Sequence, residues 1–148
     1  GVREGDGEVA LARATEAGPE ATAVLAGCHA LVLAGGAVLG DPMERAALSA
    51  CGWAFRAPDL VVPHSSLRSH AAAAGGRRVP VQVRVHHRFP FRSSLGRMAT
   101  VATVEWAEGG SGSGGVRTTQ QLVALCKGAP EVLRERLVGA PPGAPDAA

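Results

Sequence analysis

Tyrosine is absent, and only five of the 148 residues are aromatic, three Phe and two Trp. So sparse a set supplies no platform on which successive bases could stack. The 15 basic residues, set against 13 acidic ones, form no long run, so nucleic acid is not expected as a partner. Long apolar runs are missing too. No stretch approaches the roughly 20 residues a helix needs to cross a bilayer, and the first residues lack a basic-then-apolar signal pattern, so the piece reads as soluble, with no direct membrane insertion. The three cysteines, Cys28, Cys51 and Cys126, are widely spaced and include no C-x-x-C. That favours free thiols in a reducing compartment over a disulfide frame or zinc knuckle. With 46% hydrophobic and 19% charged residues, what remains suits one domain with a real core.

Taken in order, Gly1 to Gly18 reads as an irregular lead-in with one short strand around Val9 to Leu11. Val24, Leu25 and Cys28 recur at helical spacing behind Pro19 and Glu20, which predicts a helix over Pro19 to His29. Leu31–Leu33 and Ala37–Leu39 flank Gly35-Gly36 as a small hairpin. Cys28-His29 has the chemistry of a metal-ligand pair, but without a second pair at ligand spacing it is read as packed core. Asp41 is placed to cap the next helix, with Pro42 at its first position and Glu44 where a capping-box carboxylate reaches back. Met43, Ala46, Ala47, Ala50 and Cys51 would share that helix's buried face, and Gly52 would end it.

Arg56 to Arg78 reads as a surface connection, with His64 and His70 solvated. The alternation of Val79, Val81, Val83 and Val85 then predicts a strand. Pro80 suggests a sheet edge, and Phe89 and Phe91 continue the same phase. A bend through Arg88 to Met98 leads to a second strand over Met98 to Trp106. Beside Arg92 and Arg97, Phe91 is either core or a stacking surface for a flat anionic ligand. The Gly/Ser run after Glu108 lacks the Gly-Lys-Ser/Thr ending of a phosphate loop and reads as a hairpin connection.

Thr119, Gln121, Val123 and Leu125 lie two apart, so a strand over Thr118 to Lys127 points Lys127 to the face of Val123 and Leu125, expected to be buried. A half-buried ammonium requires an acceptor or an anion, unless the side chain snorkels into water. Gly128 turns the chain, and Pro130 opens a helix through Val132, Leu133 and Leu137. The Gly/Ala/Pro tail over 139–148 is expected to be disordered.

Three strings occur in order: Gly40-Asp41-Pro42-Met43-Glu44-Arg45-Ala46-Ala47-Leu48, Phe89-Pro90-Phe91-Arg92-Ser93-Ser94-Leu95-Gly96-Arg97-Met98 and Lys127-Gly128-Ala129-Pro130-Glu131. Together they resemble the nucleotide-binding domain of P-type ATPases. Gly52-Trp53 and His87-Arg88-Phe89 look most like the type V A subgroup of the endoplasmic reticulum, described as dislocases of transmembrane helices and earlier as cation transporters. The resemblance implies an α/β (α+β) fold over residues 1–138 with a twisted, mainly antiparallel sheet flanked by helices. It implies ATP as ligand, with Mg²⁺ arriving as MgATP. In its terms Phe91 stacks on adenine, Lys127 forms the pocket floor, Glu44 meets the adenine amino group and Gly128 lets the nucleotide approach the backbone. Ser93, Arg97 and Met98 belong to the same nucleotide-binding bend.

Gly96 stands where the family usually carries lysine, leaving Arg97 as the nearby cation. The family's domain also continues past the lysine motif, so the chain reads as a fragment. The parent would face the cytosol from the endoplasmic reticulum membrane, and its other domains would be the partners. None of Asp6, Asp41, Asp59 and Asp146 lies in an Asp-Lys-Thr-Gly-Thr string, so no catalytic residue is expected here and the chain alone should be inactive. The alternative is an interaction module that keeps the fold without nucleotide. A stand-alone enzyme built on His86-His87 and a cysteine is disfavoured, because strand neighbours point to opposite faces and no orienting carboxylate is evident.

Overall fold

The computed structural model describes residues 13–65, 77–108 and 115–138. The Val9–Leu11 strand, His70, the Gly/Ser run over 109–114 and the tail over 139–148 lie outside the described residues. After a single 3₁₀ turn, Ala14–Glu16, come helix α1 (Pro19–Gly27), strands β1 (Val32–Ala34) and β2 (Ala37–Leu39), and helix α2 (Pro42–Ala50). Strands β3 (Trp53–Ala57), β4 (Leu60–Pro63), β5 (Arg78–Arg92), β6 (Arg97–Glu108) and β7 (Arg117–Gly128) follow, then the short helix α3 (Pro130–Arg134). β3 to β7 form an antiparallel meander in chain order, and β1 pairs with β2 through Gly35 and Gly36, both at positive φ. The fold is α+β, as the resemblance implies.

The core lies between α1 and one face of the sheet, where Ala23, Ala26, Val83, Ala102, Val104 and Trp106 meet Trp53 and Leu31. α1 sits so close that a Cβ on Gly27 would come within 2.5 Å of Leu125 Cδ1 and 2.7 Å of Val83 Cγ1. Buried polar groups are tied to this seam. Thr100 Oγ1 donates to Gly27 O at 2.9 Å, and Cys28 Sγ donates to Leu125 O at 3.5 Å. Burial pushes the Cys28 thiol up to about 11, so it is a packed thiol.

Several expectations are corrected. The segment read as a connection, Arg56 to Arg78, holds the end of β3 and all of β4, whose runs are short. β4 buries Leu60, Val61 and Pro63 with no polar alternation to mark it. Pro80 lies in the third of five strands, but in a stretch that among the described residues pairs only with β6, so the strand does begin at a local edge. The proline is tolerated because β4 reaches only Arg84 and Val83 of β5, and because a bulge falls between Pro80 and Gln82. A second irregularity between Val85 and His87 shifts the side-chain phase by one, so Val85 faces the core while Phe89 and Phe91 do not.

The inward face of α2 is Glu44, Ala47, Leu48 and Cys51, whereas Met43 is 79% exposed and Ala46 and Ala50 are also outside. The expected face of β7 is buried only toward its end, at Leu125, with Val123 and Lys127 half-buried and Thr119 and Gln121 exposed. α3 ends at Arg134, short of the exposed Leu137.

Candidate functional site

Asp41 caps α2 as expected, its Oδ1 accepting from the backbone N–H of Met43 at 2.8 Å and of Glu44 at 3.1 Å. Glu44 does not close a capping box. Its carboxylate turns inward instead, Oε2 accepting from Ala30 N at 2.9 Å and Oε1 from Lys127 Nζ at 2.6 Å. The ammonium at the end of β7 thus has its acceptor. Lys127 keeps 37% of its side chain exposed and Glu44 13%, so the pair sits at the lip of the interior.

Around that pair is a cavity of about 520 Å³ lined by Ala30, Asp41, Glu44, Phe91, Met98, Lys127 and Gly128. Five of the seven residues singled out from the sequence therefore share one space. Phe91, 59% exposed, offers a ring face at the rim, and Met98, 5% exposed, closes the wall. The other two lie elsewhere. Arg97 lines a neighbouring cavity of about 320 Å³ with Phe89, Pro90, Arg92 and Leu95, and Met98 is shared between the two. Ser93 lies in the exposed hairpin turn, where its carbonyl accepts from Gly96 N at 3.3 Å, and it lines neither space.

Behind the cavity, His29 is 2% exposed. Its Nε2 donates to Ala26 O at 3.0 Å, while Nδ1 has no partner among the described residues. Burial, with the Arg88 guanidinium nearby, holds its imidazole below the ordinary value of 6.5, so it is neutral. Among the described residues, no group of three or more His, Cys, Asp or Glu is arranged to hold a metal ion.

Sequence reasoning missed Ala30, Asp41 as a lining residue, and the Arg88–Asp59 pair at 2.5 Å. Ala30 has no chemical signature, and the inward turn of Arg88 follows from a bulge that the alternation of valines conceals.

No protein-family model matches the chain. Single proteins do. It is 40% identical over 133 residues to an endoplasmic reticulum transmembrane helix translocase (spfA) of Aspergillus fumigatus, a match covering 89% of this chain and 9% of that protein. The corresponding Saccharomyces cerevisiae translocase is 35% identical over 125 residues, covering 83% and 8%. A probable manganese-transporting ATPase (PDR2) of Arabidopsis thaliana is 33% identical over 118 residues, covering 80% and 8%. The chain belongs to the type V P-type ATPase family. It spans less than a tenth of the length of these relatives.

Within this P-type ATPase segment, the Lys127-Gly128 junction has a packing reason of its own. Gly128 pairs with Arg97 across the β6–β7 ladder, and a Cβ there would run into Gly96 O and lie 2.8 Å from Arg97 Cα. Gly96, at φ +58°, sits against α3, its imagined Cβ 2.9 Å from Val132 Cγ2. The two glycines let the hairpin tip, the end of β7 and α3 close on one another. That brings Met98 opposite Lys127. No helix among the described residues is long and apolar enough to cross a membrane.

Proposed function

We propose that this chain is the nucleotide-binding unit of a type V P-type ATPase and takes ATP adenine-first into the 520 Å³ cavity. The supporting observation is the convergence of Glu44, Phe91, Met98, Lys127 and Gly128, from three separate stretches of sequence, on that one space. Phe91 supplies an exposed ring face for the base. Glu44, an acceptor with about four lone-pair sites, has two occupied by Ala30 and Lys127 and keeps capacity for the adenine amino group. Lys127 supplies the positive charge at the floor.

Bound this way, the phosphates point out of the cavity with Mg²⁺ on them, and the domain contributes positioning. It brings the γ-phosphate in line with an aspartate of another domain of the parent enzyme. The parent is an ATPase of the endoplasmic reticulum membrane with this unit on its cytosolic side. Its cargo is of the kind the relatives' names state, transmembrane helices or a metal cation. The isolated chain forms no acid-stable phosphoprotein with γ-labelled ATP and Mg²⁺.

A second reading, an interaction module without nucleotide, has one observation in its favour: the Glu44–Lys127 pair satisfies both charges without a ligand. Calorimetric titration with ATP separates the two. Measurable binding that is lost in Phe91→Ala while the unfolding midpoint holds supports the nucleotide reading. An ATP titration without heat or saturation leaves the interaction module.

A further inference from the structure

Arg88 belongs to the strand that carries Phe91, yet its side chain points the other way, into the molecule, because the irregularity between Val85 and His87 shifts the phase of β5. Its guanidinium makes three contacts on two segments. Nη1 pairs with Asp59 Oδ1 at 2.5 Å, Nε donates to His29 O at 3.2 Å, and Nη2 donates to Leu31 O at 3.4 Å. Asp59 is itself anchored at the β3–β4 turn, at φ +59°, with its carbonyl accepting from Val85 N at 2.8 Å. Arg88 is thus braced on one side by a fixed turn. On the other it grips the carbonyls of the two residues that flank Ala30, His29 and Leu31.

Ala30 is the cavity residue whose N–H holds Glu44, and Glu44 in turn holds Lys127. The path from Asp59 to Lys127 is therefore a continuous series of hydrogen bonds across the β3–β4 turn, β5, the α1–β1 connection, α2 and β7. Arg88 does not line the cavity, and neither does Asp59. From this geometry we infer that Arg88 is a positioning residue for the candidate nucleotide cavity: it fixes the Ala30 peptide, and through it the carboxylate and the ammonium that face the ligand. The inference rests on the proposed nucleotide reading for its purpose, but the linkage itself is a property of the empty protein. Only a guanidinium fits the role, since its planar fork directs N–H groups toward three oxygens at once, whereas an ammonium is a single point charge.

The test uses the 148-residue chain with Arg88→Lys and Asp59→Asn, and reads amide hydrogen exchange at Ala30 against Val104 in the same spectra. Val104, 0% exposed in the sheet, reports global stability. In Arg88→Lys, Ala30 exchange should rise about tenfold beyond any change at Val104, as expected for the loss of charge-assisted hydrogen bonds. The Lys127 side-chain signals should shift without any ligand present. Asp59→Asn, which keeps the Arg88 contacts to the two carbonyls, should show a smaller change of the same kind.

AMP affinity should fall several-fold in Arg88→Lys at an unchanged Val104 rate. Ala30 and Lys127 signals that stay at their parental values in a folded Arg88→Lys would overturn the inference, and so would an Ala30 change no larger than that at Val104. If the parental chain binds no AMP, the nucleotide reading fails. The exchange and Lys127 readouts then still decide whether Arg88 sets the cavity.

Discussion

One pair of strands, β5 and β6, makes two different surfaces. At Val83 and Val104, both 0% exposed, the ladder is roofed by α1 and carries the core. Past the bulge, Phe89 and Phe91 stand 52% and 59% exposed around cavities. The first region stabilises by excluded apolar area. The second leaves aromatic faces, a carboxylate and an ammonium where a ligand can meet them. A single phase shift within one strand separates them, so a protein can place a binding rim beside its core without a dedicated loop.

That division can be broken from either side. Trp53 is 1% exposed and belongs to the same core cluster as Val83 and Val104, so Trp53→Ala should cost about 3–5 kcal/mol, read as a lower urea midpoint. Phe91→Ala should do the opposite. Its effect on the midpoint should stay within about 0.5 kcal/mol, as for exposed positions. ATP affinity should drop by about 1–3 kcal/mol, by analogy with base stacking on aromatic side chains.

His29 lies at the seam between the two regions. Its folded-state pKa is held below the ordinary 6.5 by burial and by Arg88, so the unfolded chain binds the proton more readily. Its contribution is fully present above pH 6.5 and is lost as pH falls below that value. One group can give a slope of at most about 1.4 kcal/mol per pH unit. His29→Gln should flatten that part of the stability profile in urea titrations between pH 7 and 5.

The smallest expected effect is at Gly96. Gly96→Lys adds a cation to the hairpin tip, worth roughly 0.2–1 kcal/mol toward ATP over AMP and shrinking with salt. It also forces a side chain into a left-handed conformation at a cost of about 1–2 kcal/mol, so the unfolding midpoint should fall. Equal tightening of AMP and ATP would show that the tip does not face the phosphates.

Lys127 was legible in the sequence because a charge closing an apolar alternation must find a partner, and Phe91 because aromatics are so few. The helix cap at Asp41 was legible from residue type and spacing alone. Glu44 was ambiguous for a physical reason. A carboxylate at that position of a helix serves as a cap by local geometry, and only the tertiary approach of β7 turns it toward Lys127. β3 and β4 were hidden because their runs are short and, in β4, apolar on both faces. The bulge that turns Arg88 inward and Phe91 outward leaves no mark in the valine alternation, so the strand was read one phase out past Val85. Arg97 was grouped with Phe91 by proximity in sequence, whereas the ladder places it on a separate cavity.

The most direct test of the central claim, that adenine enters beside Phe91, is a chemical-shift titration of the chain with AMP and with ATP. Both nucleotides should move Phe91, Glu44, Lys127 and Ala30 alike and leave Val83 and Val104 in place, because the base and not the phosphate chain makes the shared contact. Saturating ATP that leaves Phe91, Glu44 and Lys127 unmoved would contradict the account, as would shifts confined to Arg92 and Arg97.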